Sequence, residues 1–284
     1  MTAPGVVPSR VGVIGGGRMG AGIAHAFVLA GAEVVVVERD LEAADAASAR
    51  VMENLRRSVE RGVITGVPAT YVIVTDAAAL AGCGLVIEAV PEDRELKVAA
   101  LARAEGLLTP TAALATNTSS ISIDDLGAAL DRPHRLIGLH FFNPVPASTL
   151  VEVVVGRATD DNLVDDARAW VEALGKTPIV VQDSPGFASS RLGVALALEA
   201  IRMVEEGVAS AADIDAAMEL GYRHPTGPLR TTDIVGLDVR LGIADELHAL
   251  LGERFAPPEL LRRMVAEGCL GRKSGQGFYE WSER

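Results

Sequence analysis

Short apolar runs alternate with longer amphipathic stretches along the first part of the chain. The runs end in glycine, acidic or polar positions, which is typical of buried strands. They cover residues 10–14, 33–38, 71–75, 85–88 and 112–116. The stretches between them carry apolar residues at helical spacing. The alternation predicts an N-terminal α/β domain, with a mostly parallel sheet and helices on both faces.

Two further apolar runs, 135–140 and 150–155, contain titratable side chains. His140 closes the first run and Glu152 interrupts the second. A buried carboxylate without a partner is costly, so we expect Glu152 to meet a donor, and His140 is the nearest candidate in sequence. A carboxylate that orients an imidazole is typical of general-base catalysis.

A second interpretation fits the same two residues. Glu152 would lie in solvent on an edge strand, and His140 would be a core histidine whose hydrogen bonds are satisfied. His140 and Glu152 alone favour neither interpretation.

The pattern changes at Ser184. Beyond it we find helical periodicity and no strand pattern. The predicted helices cover residues 187–206, 211–220, 229–251 and 258–267. The sequence therefore predicts two domains, 1–183 and 184–284, and the second is expected to be all-α.

Two of these helices carry more apolar surface than a small helical domain can bury. They are 187–206, which is apolar over most of its circumference, and 229–251. This excess predicts a homodimer built through the C-terminal domain. The segment 273–279 is expected to pack on the same domain.

A glycine-rich turn follows the first predicted strand. Gly15, Gly17 and Gly20 form Gly-x-Gly-x-x-Gly between an apolar strand and an apolar helix. There they allow a tight turn, the approach of a pyrophosphate and close packing of helix on strand, which indicates a Rossmann-type dinucleotide-binding domain.

Glu38 ends the next strand. We interpret it as the ligand of the adenosine ribose hydroxyls, rather than an ordinary charge at a strand end, which predicts NAD in preference to NADP despite Arg39 next to it.

Polar residues follow the predicted strand 112–116. Loops at the carboxyl ends of parallel strands line the ligand crevice in this architecture, so Asn117 and Ser119 are candidate site residues. The alternative is that they only cap the helix that starts near Ser122.

Composition limits the partners. The 284 residues are 49% hydrophobic and carry a net charge of −12, which would repel nucleic acid and anionic membranes. The sequence has no signal-peptide pattern and no apolar run of membrane length, which predicts a cytoplasmic protein. Cys83 and Cys269 lack the spacing of metal ligands, so no metal site is expected.

The predicted helix 40–62 carries a basic stripe. Arg50, Arg57 and Arg61 share one face because they are seven and four residues apart. The stripe could bind the phosphates of a large ligand, or it could be a solvated face with Glu53 and Glu60 as neighbours.

The motifs together resemble the L-3-hydroxyacyl-CoA dehydrogenases, in particular the short bacterial 3-hydroxybutyryl-CoA type, over nearly the whole chain. Besides the glycine turn, the matching segments are 88–92 (Glu-Ala-Val-Pro-Glu), 117–120 (Asn-Thr-Ser-Ser), 140–146 (His-Phe-Phe-Asn-Pro-Val-Pro), 151–153 (Val-Glu-Val), 184–187 (Ser-Pro-Gly-Phe), 227–228 (Gly-Pro), 235–238 (Val-Gly-Leu-Asp) and 273–279 (Lys-Ser-Gly-Gln-Gly-Phe-Tyr).

The resemblance implies an NAD-dependent oxidation of a 3-hydroxyacyl-CoA. It makes His140 the catalytic base and Glu152 its orienting acid, which favours the catalytic interpretation of that pair. Ser119 and Asn143 would contact the substrate. The residues that would hold NAD are Glu38, Glu92, Lys97 and Asn117. Those that would contact CoA are Asn54 and Arg61, and Arg57 is expected to assist them electrostatically.

One position departs from the family pattern. Ser190 stands where the family usually has an asparagine that contributes to the active site, so a shorter hydroxyl or a bridging water would take over that role. Three other functions stay open: a 3-hydroxyadipyl-CoA dehydrogenase of aromatic breakdown, a sugar-acid dehydrogenase resembling lambda-crystallin, and a cofactor-binding structural or sensory protein without turnover.

Overall fold

An eight-stranded sheet forms the centre of the first of two units in the computed structural model, which describes residues 6–68 and 70–281. The division between the units falls between Ser184 and Pro185. The strands are β1 (Arg10–Ile14), β2 (Glu33–Val37), β3 (Tyr71–Val74), β4 (Leu85–Glu88), β5 (Ala113–Thr116), β6 (Leu136–Phe141), β7 (Leu150–Val155) and β8 (Thr177–Gln182).

The strand order is β3-β2-β1-β4-β5-β6-β7-β8. Neighbouring strands run parallel, except that β6 and β7 are antiparallel. From β1 the chain adds strands first toward β3 and then, after β3, on the other side from β4 onward. This order, with its reversal between β1 and β4, confirms the predicted mostly parallel, Rossmann-type sheet.

Helices cover both faces of this sheet. They are α1 (Arg18–Leu29), α2 (Leu41–Glu60), α3 (Arg94–Glu105), α4 (Ile123–Gly127) and α5 (Asp161–Ala173). Val11 and Val13 of β1 point to the face where α1, α2 and α5 bury their apolar residues in one cluster. Gly12 between them points to the other face, toward Leu80. This alternation along a strand explains why the central runs are apolar throughout.

Three helices of this unit begin at a polar cap. Asp40 accepts from the amide of Ala43, and Asp93 accepts from the amide of Leu96. The α4 helix is capped by Ser122, whose Oγ accepts from the amide of Asp125 at 3.2 Å. The alternative in which Asn117 and Ser119 serve only as caps of this helix is therefore wrong.

The second unit is helical, as the sequence predicts. Its helices are α6 (Ser189–Glu205), α7 (Ala211–Ala216), which continues as a π-helical turn (Ala217–Gly221), α8 (Pro228–Val235), α9 (Leu237–Leu251) and α10 (Glu259–Ala266). Its core includes Leu198, Ile201, Leu229 and Leu247. Within residues 6–68 and 70–281, no helix combines the length and apolar character needed to cross a bilayer.

The single predicted helix 229–251 is wrong. Gly236 has φ +109°, a value outside the helical region, and it separates α8 from α9. The apolar periodicity continues across this break, which is why the sequence pattern did not reveal it.

The C-terminal segment is bound to α8 through one buried carboxylate. Asp233 accepts from the amides of Phe278 and Tyr279, both at 2.9 Å, and from the indole nitrogen of Trp281 at 2.8 Å. The predicted packing of residues 273–279 on the helical unit is confirmed.

Candidate active site

The carboxyl ends of four strands lie side by side at one edge of the sheet. Ile14 of β1 pairs with Glu88 of β4, Glu88 pairs with Thr116 of β5, and Thr116 pairs with Gly138 of β6. The reversal of strand order between β1 and β4 opens a crevice at this edge, where open α/β sheets bind their ligands. Six of the predicted site residues lie in loops that start here, namely Gly15, Gly17, Glu92, Asn117, Ser119 and Asn143.

The glycine turn fits a dinucleotide pyrophosphate. Gly15 has φ +90°, and a Cβ on Gly20 would overlap the Gly15 carbonyl oxygen. Gly17 differs from both, because a Cβ there would meet no protein atom within 4 Å. It precedes α1, whose first turn receives no side-chain cap. Open space before an uncapped helix N-terminus is suited to an anionic group.

Glu38 lies directly beside this turn. Its Oε1 accepts from the amide of Gly16 at 2.6 Å. The neighbouring Arg39 points its guanidinium at Asp40, with Nε 2.9 Å from Oδ2. A carboxylate at the end of β2 fits the expected ribose ligand, and Arg39 is already paired with another acid.

A buried ion pair supports the loop after β4. The ammonium of Lys97 is 1% exposed and donates to Glu88 Oε1 at 2.9 Å and to the Val90 carbonyl at 3.3 Å. It also lies 3.2 Å from Glu92 Oε2. Thr116 donates to the second oxygen of Glu88 at 2.6 Å. The three protons of Lys97 are thus directed at protein oxygens, one of which belongs to Glu92.

Glu92 organises the loop after β5. Its Oε1 accepts from the Thr118 hydroxyl at 2.5 Å and from the Ser119 and Ser120 amides at 2.7 and 3.1 Å. Burial raises the pKa of Glu92, but the Lys97 cation and these hydrogen bonds outweigh burial and hold the pKa below its ordinary value. An ionised Glu92 therefore fixes the position of Ser119.

Asn117 joins the ends of two strands. Its side-chain Oδ1 accepts from the amide of Phe141 at 2.9 Å, across from β5 to β6. This contact sets the end of β6, where His140 lies.

His140 and Glu152 face each other across β6 and β7. They are directly paired in the antiparallel register, and His140 Nδ1 lies 2.7 Å from Glu152 Oε2. Glu152 is 0% exposed because β8 covers the outer side of β7. The interpretation that places Glu152 in solvent on an edge strand is therefore wrong. With Glu152 ionised, Nδ1 carries the proton, and Nε2 is then the basic nitrogen of the neutral ring.

A cleft of about 150 Å³ brings two other predicted residues together. Asn54 of α2 and Asn143, from the loop after β6, both line it. Arg18 and Arg50 line it as well, and Arg50 Nη1 lies 3.4 Å from the Gly16 carbonyl oxygen. The cleft thus lies between the glycine turn and the loop that follows β6.

The other predicted CoA contacts lie outside this cleft. Arg57 is exposed and pairs with Glu53 at 2.8 Å, one helical turn away, and Arg61 ends α2 at an exposed position. Ser190 lies in the first turn of α6 in the helical unit. Among the described residues, no group of three His, Cys, Asp or Glu side chains is arranged to hold a metal ion.

The sequence pattern missed several groups that build this site. Glu88 and Thr116 form a polar centre next to Lys97 and Glu92. Glu88 was visible as an acid at the end of the apolar run 85–88 and in the matching segment 88–92, but the sequence indicated no role for it. Arg18 was missed because a single basic residue next to a glycine has no distinctive spacing.

A dinucleotide turn and a buried histidine–carboxylate pair in one Rossmann-type unit define a nucleotide-dependent dehydrogenase. The chain belongs to the 3-hydroxyacyl-CoA dehydrogenase family and is an oxidoreductase that uses NAD. The model of the family's NAD binding domain matches residues 10–184, and that of its C-terminal domain matches residues 186–281.

Two curated relatives and one solved structure support this family assignment. The chain is 42% identical to a probable 3-hydroxybutyryl-CoA dehydrogenase of Deinococcus radiodurans, over 96% of this chain and 100% of the relative. It is also 42% identical to a 3-hydroxybutyryl-CoA dehydrogenase of Bradyrhizobium diazoefficiens, over 97% and 96% of the two chains. The crystal structure of (S)-3-hydroxybutyryl-CoA dehydrogenase PaaH1 from Ralstonia eutropha superposes with a TM-score of 0.93 at 38% identity, covering 98% of this chain and 100% of that one.

Proposed function

We propose that the chain interconverts a short-chain 3-hydroxyacyl-CoA and its 3-ketoacyl-CoA, with 3-hydroxybutyryl-CoA as the preferred substrate. The observation that carries the proposal is the buried pair of His140 and Glu152, 2.7 Å apart at the end of β6. The names of the relatives that cover the full length of the chain support the acyl length.

His140 is the general base for alcohol oxidation. Its Nε2 takes the proton of the 3-hydroxyl as the hydrogen on the same carbon leaves as hydride, and the C–O bond becomes a carbonyl. When bound, NAD supplies the acceptor for that hydride. In the reverse direction the protonated His140 returns the proton to the carbonyl oxygen. Glu152 keeps Nδ1 protonated and stabilises the imidazolium that forms.

Ser119 and Asn143 contact the substrate near the reacting carbon. Ser119 is placed by the Glu92 carboxylate, and Asn143 follows His140 by three residues. Hydrogen bonds from these two side chains would stabilise the charge that develops on the 3-oxygen.

The proposed cofactor contacts form one continuous set at the crevice. The turn of Gly15, Gly17 and Gly20 admits the pyrophosphate, and Glu38 binds the adenosine ribose. Glu92 and Asn117 hold the loops on the nicotinamide side. Lys97 contributes through Glu92, because its ammonium is enclosed by protein oxygens.

The CoA portion is assigned to α2 and the cleft beside it. Asn54 lines the cleft, and Arg57 and Arg61 act on the phosphates from exposed positions. Ser190 is assigned to the substrate by its place in the family pattern.

The protein is proposed to be a cytoplasmic homodimer that associates through the helical unit. Support comes from apolar side chains on that unit that remain exposed, namely Leu192 at 70%, Leu220 at 83% and Val239 at 43%. A second copy that packs against these side chains would remove them from water. A monomer mass by light scattering at micromolar concentration would contradict the dimer.

A substrate panel tests the function. Initial rates would be measured with 3-hydroxybutyryl-CoA, longer 3-hydroxyacyl-CoA thioesters, 3-hydroxyadipyl-CoA and a free sugar acid, each with NAD and with NADP. We expect the highest kcat/KM with 3-hydroxybutyryl-CoA and NAD. A higher value with the adipyl thioester or the free acid would move the assignment to those alternatives. Binding of NADH without turnover of any substrate would point to a non-catalytic protein.

A further inference from the structure

Lys176 reaches from the start of β8 to the segment between β6 and β7. Its Nζ donates to the carbonyl oxygen of Val145 at 2.7 Å and to that of Ser148 at 2.5 Å. A single ammonium therefore fixes two carbonyls of the segment 142–149, which carries Asn143.

The same segment is held from its other side by an apolar contact. The side chain of Val145 is 2% exposed and packs against Gly22 of α1, where an added Cβ would lie 2.7 Å from Val145 Cβ. Within the segment, the amides of Ala147 and Ser148 both donate to the Pro144 carbonyl at 3.0 Å. The backbone after Asn143 is thus fixed by a turn, by α1 and by Lys176.

The chemistry of Lys176 is unusual for a lysine at a strand start, where the side chain is ordinarily solvated. Among the described residues its ammonium pairs with no carboxylate, and burial lowers its pKa. An apolar side chain would fill the same volume without this desolvation cost. The ammonium instead adds two directional hydrogen bonds, which orient the carbonyls of Val145 and Ser148 toward one point.

We propose that Lys176 is a positioning residue of the active site, which holds the segment 142–149 so that Asn143 stands in its productive place beside His140. The inference rests on the proposed function, since it needs Asn143 to contact the substrate. It assigns Lys176 no contact with substrate or cofactor.

The test compares Lys176→Met, which keeps an unbranched side chain one atom shorter and removes the donors, with Lys176→Arg, which keeps charged donors. Steady-state kinetics with 3-hydroxybutyryl-CoA and NAD, the Kd of NADH and the thermal unfolding midpoint would be measured for both. We expect Lys176→Met to lower kcat by up to about 10²-fold while the Kd of NADH stays unchanged. Lys176→Arg should recover part of kcat. A wild-type kcat in the Met variant would overturn the proposal.

A double-mutant cycle with Asn143→Ala separates positioning from general stability. If Lys176 acts through Asn143, the Met substitution should lower kcat far less in the Asn143→Ala background than in the wild type. Equal fold losses in both backgrounds would overturn the proposal. If Lys176→Met does not fold, Lys176→Gln, a shorter neutral donor, takes its place in the cycle. Failure of the proposed function is distinguishable, because wild-type enzyme would then turn over no 3-hydroxyacyl-CoA.

Discussion

Two histidines are buried in the sheet-containing unit, and they differ in the hydrogen-bond partner of the ring nitrogen Nδ1. His25 on α1 is 3% exposed and His140 on β6 is 6% exposed. The Nε2 of His25 lies 2.8 Å from the hydroxyl of Ser58, and its Nδ1 has no hydrogen-bond partner among the described residues. The Nδ1 of His140 instead lies 2.7 Å from a carboxylate.

The hydrogen-bond partner, and not the burial, distinguishes the proposed catalytic histidine from the other buried histidine. Burial and the nearby Lys176 cation lower the pKa of His25 to about 4, so this ring stays neutral at physiological pH. Its chemistry is that of a core residue with one hydrogen bond. Glu152 gives His140 a negative charge that can stabilise the imidazolium, which a proton-transferring base requires.

Replacing each histidine by glutamine tests the different roles of His140 and His25, and it should give the largest effect. His140→Gln removes the base and should lower kcat by about 10²–10⁴-fold, with the Kd of NADH unchanged. The matched variant His25→Gln should keep kcat within a few-fold, since its ring is assigned no contact with a reactant. Both would be followed by absorbance of NADH at saturating substrate. A large loss in the His25 variant, or a small one in the His140 variant, would reverse the assignment.

The lowered pKa of His25 should make the stability of the folded protein depend on pH. An unfolded histidine binds a proton near its ordinary pKa of 6.5, whereas the folded protein lowers this value to about 4. Between these two pKa values the unfolded state holds more protons than the folded state. The contribution of His25 to the free energy of unfolding is therefore fully present above pH 6.5 and is lost as the pH drops toward 4. The loss due to His25 should reach roughly 3 kcal/mol.

Urea unfolding of wild type and His25→Gln across this range measures the contribution. Glu92 and the other acids titrate in both proteins, so the difference between the two curves isolates His25. The curve of the variant should be flatter above pH 4. Parallel curves would mean that folding does not lower the pKa of His25.

Sequence reasoning predicted most of the sheet because each strand of the first unit is a short apolar run between polar breaks. It also found His140 and Glu152, because a charge within an apolar run is conspicuous. The two residues alone could not show whether Glu152 is buried, since its burial depends on β8 lying outside β7. Pairing between strands distant in sequence carries no local signal.

The missed groups act through the backbone. Glu88 accepts from the amide of Val90, and Lys176 donates to the carbonyls of Val145 and Ser148. Every residue has such amides and carbonyls, so no side-chain pattern marks the partner. The break at Gly236 was missed for a related reason, because a glycine inside an apolar period does not reveal its φ angle.

Glu152→Gln tests whether the carboxylate is what separates His140 from His25. The amide keeps the shape but loses the charge that stabilises the imidazolium, so kcat should fall by about 10²-fold. The double variant His140→Gln/Glu152→Gln should be little worse than His140→Gln alone, because groups that act as a unit are not additive. Fully additive losses would show that the two residues act independently.

The smallest expected effect lies on α2, at Arg57. It is exposed and paired with Glu53, so its action on a CoA phosphate is screened, and Arg57→Ala should raise the KM for the CoA thioester by up to about fivefold with kcat unchanged. Arg61→Ala should behave alike, and both effects should shrink at high salt. Glu53→Gln is the matched control, because it removes the same ion pair but leaves the cation. A raised KM in the Glu53 variant, or an equal loss with a substrate that lacks the nucleotide, would point to destabilisation of α2 instead of a phosphate contact.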